Sequence, residues 1–151
     1  MRLWRLGSGL FPLWSGDGAR LKGGRWNEKG TRAIYASASF AAAVLEVMVH
    51  ANIGRVPRGT MGITIDIPDD VPVDRLRSEQ LDLWDAHPPS ASRAYGDAWL
   101  KRNGGLVLMV PSAVTSGWDD NAMINPLHPA FGRIVVSAPL PVRLDPRLFP
   151  G

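Results

Sequence analysis

Thirteen prolines and sixteen glycines are scattered through 151 residues, cutting the chain into segments too short for a helical bundle. Proline fixes φ and removes a backbone donor, and glycine loses the most entropy on ordering, so neither prolongs an element cheaply. What fits between them is a set of short strands with a few helices. The length suits one unit spanning 1–151, large enough to bury a core and too small for two ordinary domains.

Leu3 to Leu6 and Arg32 to Ser37 read as strands bounded by turn residues. Ser37 or Ser39 can cap a helix through SFAAAVLEVMVHAN, ended by Gly54 and Pro57. Met61 to Ile67 alternates with period two, as a half-buried strand does. Residues 68–92 are the most polar and look like an insertion, holding at most a strand near Val71 to Val73 and a helical turn around Glu79 to Trp84. Ser92 can cap a second helix, RAYGDAWLKRN, closed by Gly104 and Gly105. Leu106 to Val110, Ile134 to Ser137 and Val142 to Leu144 complete the strands. Without regular βαβ alternation, the order predicts an α+β fold with a mixed, largely antiparallel β core and flanking short helices.

Cysteine is absent, which excludes a disulfide framework, a thiolate nucleophile and Cys-based metal sites. No apolar run approaches the roughly 20 residues of a membrane span, and the opening MRLWRLGSGLF lacks a signal-peptide pattern, so a cytoplasmic protein without membrane contact is expected. The net charge of +3 conceals an asymmetry: residues 1–60 hold nine Lys/Arg against three Asp/Glu, residues 61–151 eight against eleven. A nucleic-acid binder usually carries a denser basic stripe, so a small phosphorylated ligand accounts for the local excess at least as well.

Glu46 is the most informative residue. It interrupts Phe40 to Val49, a helix so apolar that most of its faces are expected to be covered by protein, and a carboxylate is rarely buried there without a partner. It is one half of a structural ion pair, a glutamate escaping at the helix edge, or a catalytic carboxylate lining a cleft. His50 lies one turn on, which raises a Glu-x-x-x-His metal pair; with neither a second His cluster nor a cysteine, no metal site is expected.

The loop LKGGRWNEKG poses a second question, because a plain turn needs neither Arg25 nor Trp26. Gly23 and Gly24 allow close backbone approach, and Arg25 has the planar fork suited to phosphate. The loop lacks the surroundings of a dinucleotide fingerprint or a P-loop, so it reads as an ambiguous anion loop, with Trp26 as packing. Arg5, inside an apolar strand, is a further anion candidate or an edge charge. Tyr35 reads by default as a core aromatic with a bonded hydroxyl. Ser112, at a strand end in VPSAV, lacks a nucleophile elbow, and NPLHP (Asn125 to Pro129) reads as a rigid structural turn.

Taken in order, LWRL, GGRWNEKG, AIYAS, AAAVLEVMVH, YGDAWL, VPSAV, NPLHP and RLDPRLF resemble the RES-domain family over nearly the whole chain. Its members are toxins of type II toxin–antitoxin modules paired with Xre-like antitoxins, with a fold similar to that of ADP-ribosyltransferases. The resemblance implies an NAD+-consuming enzyme: Glu46, Arg25 and Tyr35 would be catalytic, and Arg5, Gly24, Arg25, Tyr35 and Ser112 would bind NAD+ as substrate. It places no function in 68–92. It implies an antitoxin covering the active site and no direct nucleic-acid contact.

The residue types suit that chemistry. Departure of nicotinamide leaves an oxocarbenium-like ribose, and a fixed carboxylate such as Glu46 stabilises the charge where it develops. Arg5 and Arg25 would grip the pyrophosphate and turn that remote binding into orientation of the scissile bond. Water or phosphate would then accept ADP-ribose, depleting NAD+; a protein of central metabolism is the alternative acceptor, and a nucleic-acid-directed toxin the remote alternative.

Overall fold

The computed structural model describes residues 1–51 and 57–149. Strands β1 (Arg2–Ser8), β2 (Ile34–Ser37), β3 (Thr60–Asp66), β4 (Val73–Arg75), β5 (Val107–Pro111), β6 (Asp120–Ile124), β7 (Val135–Val136) and β8 (Leu140–Pro141) form one open sheet. Its order is β4-β5-β6-β2-β1-β3-β7, with β8 also on β3. Every pairing is antiparallel except β4 with β5. Three helices, α1 (Asp17–Lys22), α2 (Phe40–His50) and α3 (Ser90–Arg102), flank it.

Strand β5, VLMVP, is buried at every residue, and alternation sends its side chains to opposite faces. Val107 and Met109 join Leu3, Ile65 and Ile124 in one apolar cluster; Leu108 and Val110 join Trp26, Trp84, Trp99 and Met123 in another. A strand covered on both faces has to be a continuous apolar run, which explains why β5 was readable.

Several elements differ from expectation for local reasons. Strand β8 is Leu140–Pro141, earlier than Val142 to Leu144. Helix α3 begins after Pro89, and the hydroxyl of Ser92 donates to Pro89 O (3.2 Å) inside the first turn instead of capping it. Asn103, in the left-handed region at φ 55°, ends α3 in place of Gly104 and Gly105. Helix α1 and strand β6 were not foreseen. Gly54 lies outside the described residues.

Residues 68–92 are an integral layer of the fold. They carry β4, two residues later than expected, a 3-10 turn at Ser78–Gln80, and the buried side chains of Leu76 and Trp84. Helix α2 differs most. Ser39 caps it, its Oγ accepting from Ala42 N (3.0 Å), but Ala42 and Ala43 are its buried residues, while Phe40, Leu45 and Val49 are exposed. Its apolar composition does not translate into coverage.

Candidate active site

Between α2, the sheet and the Gly23–Asn27 loop runs an open cleft of about 930 Å³, a volume in the range of small-molecule sites. Its lining holds Arg5, Lys22, Arg25, Arg58 and Arg93, and among the described residues one carboxylate, Glu46. Five permanent cations facing one carboxylate suit a ligand that is mostly anionic.

Glu46 projects from the middle of α2 with about a quarter of its side chain exposed. Its Oε1 accepts from Asn121 Nδ2 (2.7 Å) on β6 and from Ser112 Oγ (3.3 Å) at the end of β5; its Oε2 lies 3.8 Å from His50 Nε2. Asn121 Oδ1 in turn accepts from Ser37 Oγ (3.0 Å) on β2. Glu46 therefore lines the cleft, and neutral donors from the sheet side hold it there in place of a structural ion pair. No group of three His, Cys, Asp or Glu side chains that could hold a metal occurs among the described residues.

Arg5 is not an edge charge, because β1 lies between β2 and β3. Its Nη1 donates to Tyr35 O (2.6 Å), and its buried Nε has no partner. Burial lowers its pKa and the nearby Tyr35 raises it slightly, yet a guanidinium keeps its proton at neutral pH. It makes no ion pair with the described residues, so the cleft contains a half-buried guanidinium without an anionic partner among them.

Tyr35 lines the cleft with its ring, but its hydroxyl is committed: it donates to Asn27 Oδ1 (2.6 Å) and accepts from Trp26 N (3.2 Å). Burial pushes the phenol far above its usual pKa, so it stays neutral and is no base at physiological pH. Asn27, fully buried, also donates to Ala19 O, Glu28 O and Thr31 O, making it the knot of the loop.

Gly24 fits beneath Tyr35: a Cβ there would sit 2.8 Å from both the Tyr35 hydroxyl and Asn27 Oδ1. Gly23 sits at φ 72°, which favours glycine. Trp26 is buried, its backbone pressed against α3 at Gly96, where a Cβ would lie 2.0 Å from Trp26 O. Packing, the expected role of Trp26, is where the structure puts it.

Arg25 lines the cleft but is partly engaged. Nη1 donates to Trp84 O (3.2 Å) and Ala86 O (3.1 Å), and Nη2 lies 3.1 Å from His87 Nε2. The segment to which sequence assigned nothing thus supplies part of the cleft wall, including His87 and Pro89. Ser112 stands behind the site: it is 1 % exposed, and its hydroxyl turns to Glu46 while Pro111 and Ala113 line the cleft.

Two cleft residues escaped sequence reading. Asn121 stands in DNAMI, a strand whose first two residues are polar, and the three apolar residues that follow are too short a run to flag it. Arg93 projects from the first turns of α3. Its Nε donates to Gly24 O (3.0 Å), and its terminal nitrogens make no hydrogen bond to the described residues.

The fold is shared with a toxin of known structure. The chain superposes on a protein from the crystal structure of the M. tuberculosis MbcT–MbcA toxin–antitoxin complex with a TM-score of 0.78 at 23 % identity, covering 97 % of this chain and 85 % of that one. The RES domain family matches residues 2–145, and the chain belongs to that family. It is 38 % identical over 119 residues to the Prs ADP-ribosylating toxin of Sphingobium sp. (strain YBL2), covering 76 % of this chain and 73 % of the relative. To Toxin Res of Yersinia enterocolitica it is 34 % identical over 141 residues, covering 92 % of each, and to Toxin Res of Photorhabdus laumondii 33 % over 142, covering 89 % and 88 %.

Proposed function

We propose that the chain is the toxin of a type II toxin–antitoxin module, and that its cleft binds NAD+ and breaks the bond between nicotinamide and ribose. The observation that carries this reading is the pairing of a half-buried Arg5 guanidinium, its Nε without a partner, with a sheet-anchored carboxylate in one cleft. NAD+ offers the matching pattern: a pyrophosphate for the cations, and at its other end a cationic ring and a ribose that becomes more cationic as the bond breaks.

Arg5 and Arg93 grip the pyrophosphate, and Arg25 adds charge while holding the 84–87 segment in place. Tyr35, with Gly24 beneath it, gives a flat wall for the nicotinamide or its ribose. Ser112 acts through Glu46. As the C1′–N1 bond breaks, its electron pair leaves with neutral nicotinamide, and Glu46 stabilises the positive ribose. Water or phosphate then adds to C1′, the proton of an attacking water passing to Glu46 or solvent.

A protein acceptor is the second reading, favoured by the relative named an ADP-ribosylating toxin. In either case an Xre-like antitoxin covers the cleft, in keeping with the toxin–antitoxin complex in which the structural neighbour was crystallised. Purified protein incubated with NAD+ should release nicotinamide with matching free ADP-ribose or its phosphate ester. Label from tagged NAD+ entering a protein band, with little free ADP-ribose, would select the transferase. No release with either kind of acceptor would refute both.

A further inference from the structure

We propose that Asn121 is the positioning residue that decides which oxygen of Glu46 meets the substrate; the inference rests on the reading of the cleft as an NAD+ site. An ionised carboxylate only accepts hydrogen bonds, so the Asn121 atom 2.7 Å from Glu46 Oε1 has to be its amide nitrogen. Its oxygen then faces the Ser37 hydroxyl at 3.0 Å, which donates to it. The network is self-consistent in one orientation, and each member has a single role.

Its effect on Glu46 is asymmetric. Oε1 takes the bonds from Asn121 and Ser112 and is occupied by protein, whereas the nearest basic atom to Oε2, His50 Nε2, lies at 3.8 Å, beyond hydrogen-bond range. Oε2 is thereby left for the ribose. Packing around Glu46 is partial: the buried residues of α2 are Ala42 and Ala43 in its first turn, Val44, Val47 and Met48 are half-buried, and Leu45 and Val49 are exposed. The helix is pinned to the sheet at Glu46 by the side chains of Asn121 and Ser112.

The backbone explains why Asn121 can do this. It pairs in register with Ser37 of β2 on one side and Val110 of β5 on the other, so its Cα is fixed by ladders on both edges. The titratable and charged groups that share the cleft with Glu46 include His50 on its own helix, Arg5 on β1, and Lys22, Arg25, Arg58 and Arg93; Asp120, next to Asn121 on β6, pairs with Arg75 and does not line the cleft.

The test compares wild type, Glu46→Gln, Asn121→Ala, Asn121→Asp and Ser37→Ala by steady-state nicotinamide release, thermal melting and pH profile. Asn121→Ala should lower kcat about 10²-fold, with KM for NAD+ changed less than about threefold, because orientation is lost while the phosphate grip remains. Asn121→Asp should lose as much and also move the acidic limb of kcat/KM upward, since two adjoining carboxylates resist ionising together. An asparagine that merely stabilised the sheet would lower the melting temperature in Asn121→Ala and leave kcat of the folded protein at the wild-type level.

If the Asn121 variants melt too low to assay, Ser37→Ala decides, because it removes only the hydroxyl that orients the amide; kcat should fall about tenfold with KM unchanged. Turnover that vanishes in Glu46→Gln but stays at the wild-type level in both Asn121 variants, or in Ser37→Ala where those cannot be assayed, would overturn the role of Asn121 alone. So would a raised KM at constant kcat. Wild-type protein that releases no nicotinamide overturns the reading of the cleft, and this inference with it.

Discussion

The two long walls of the cleft are built on different principles. The sheet wall carries Arg5 and Tyr35 on adjacent strands and holds Glu46 through Asn121, which is paired on both edges, and through Ser112, just past the end of β5. The loop wall carries Arg25 and Arg93, held by side-chain hydrogen bonds to carbonyls of Trp84, Ala86 and Gly24 and by the close fit of Trp26 on Gly96. A ladder fixes position to a fraction of an ångström, and a loop tied by a few hydrogen bonds can adjust. On the proposed reading the reacting end of the ligand meets the rigid wall, and the phosphates span the two, from Arg5 on the rigid wall to Arg25 and Arg93 on the adaptable one.

That contrast breaks first at Glu46. Replacing it with Gln keeps its shape and removes its charge, and on the rigid wall this should cut nicotinamide release about 10³-fold in kcat with little change in KM. On the loop wall the largest effect is on the fold. Gly96→Ala places a methyl group against Trp26 O and should cost about 3 kcal/mol or more, read as a lowered denaturant midpoint.

Arg5 sharpens the comparison, because on the proposed reading it is a phosphate ligand mounted on the rigid wall. Arg5→Met should lower NAD+ affinity about 10²-fold by titration calorimetry, and yet raise Tm, since it removes a half-buried guanidinium whose Nε has no partner. A falling Tm would mean that the guanidinium is structural. Arg25→Ala should behave oppositely, raising KM about tenfold and lowering stability by about 1 kcal/mol as the 84–87 segment loosens.

The smallest effect is acidic. Burial alone would raise the pKa of Asp97, but hydrogen bonds from Lys101, Thr31 and Glu28 N outweigh it and hold the carboxyl below its usual range. A depressed folded pKa stabilises the native state fully above about pH 4 and ceases to do so as the pH falls through the lower folded value. Asp97→Asn should therefore lower Tm at pH 7 and flatten its dependence on pH below 4, leaving the sheet wall and kcat untouched.

The same division governs what could be read from sequence. Strands β1, β2, β3 and β5 announce themselves by alternation or by a continuous apolar run, and Glu46 stands out because it interrupts one. Strand β6 hid because the residue that serves the site, Asn121, breaks the apolar pattern at its start. The loop wall was half legible: GGRWN marked an anion loop, but nothing local shows that Arg25 reaches across 59 residues to a carbonyl of a segment that looked like an insertion. Helix α2 misled in the other direction, because apolar composition reports what could be buried rather than what is.

The pairing of Ser37 with Asn121 spans 84 residues, and that of Glu46 with Asn121 spans 75. Contacts so distant along the chain close a large loop and form slowly compared with local ones. A ribosome makes Glu46 75 residues before Asn121, so over that stretch the nascent chain carries an unanchored carboxylate. On the proposed chemistry, catalytic competence then arrives as a folding event that waits for β6, which gives the producing cell an interval in which the growing chain is harmless.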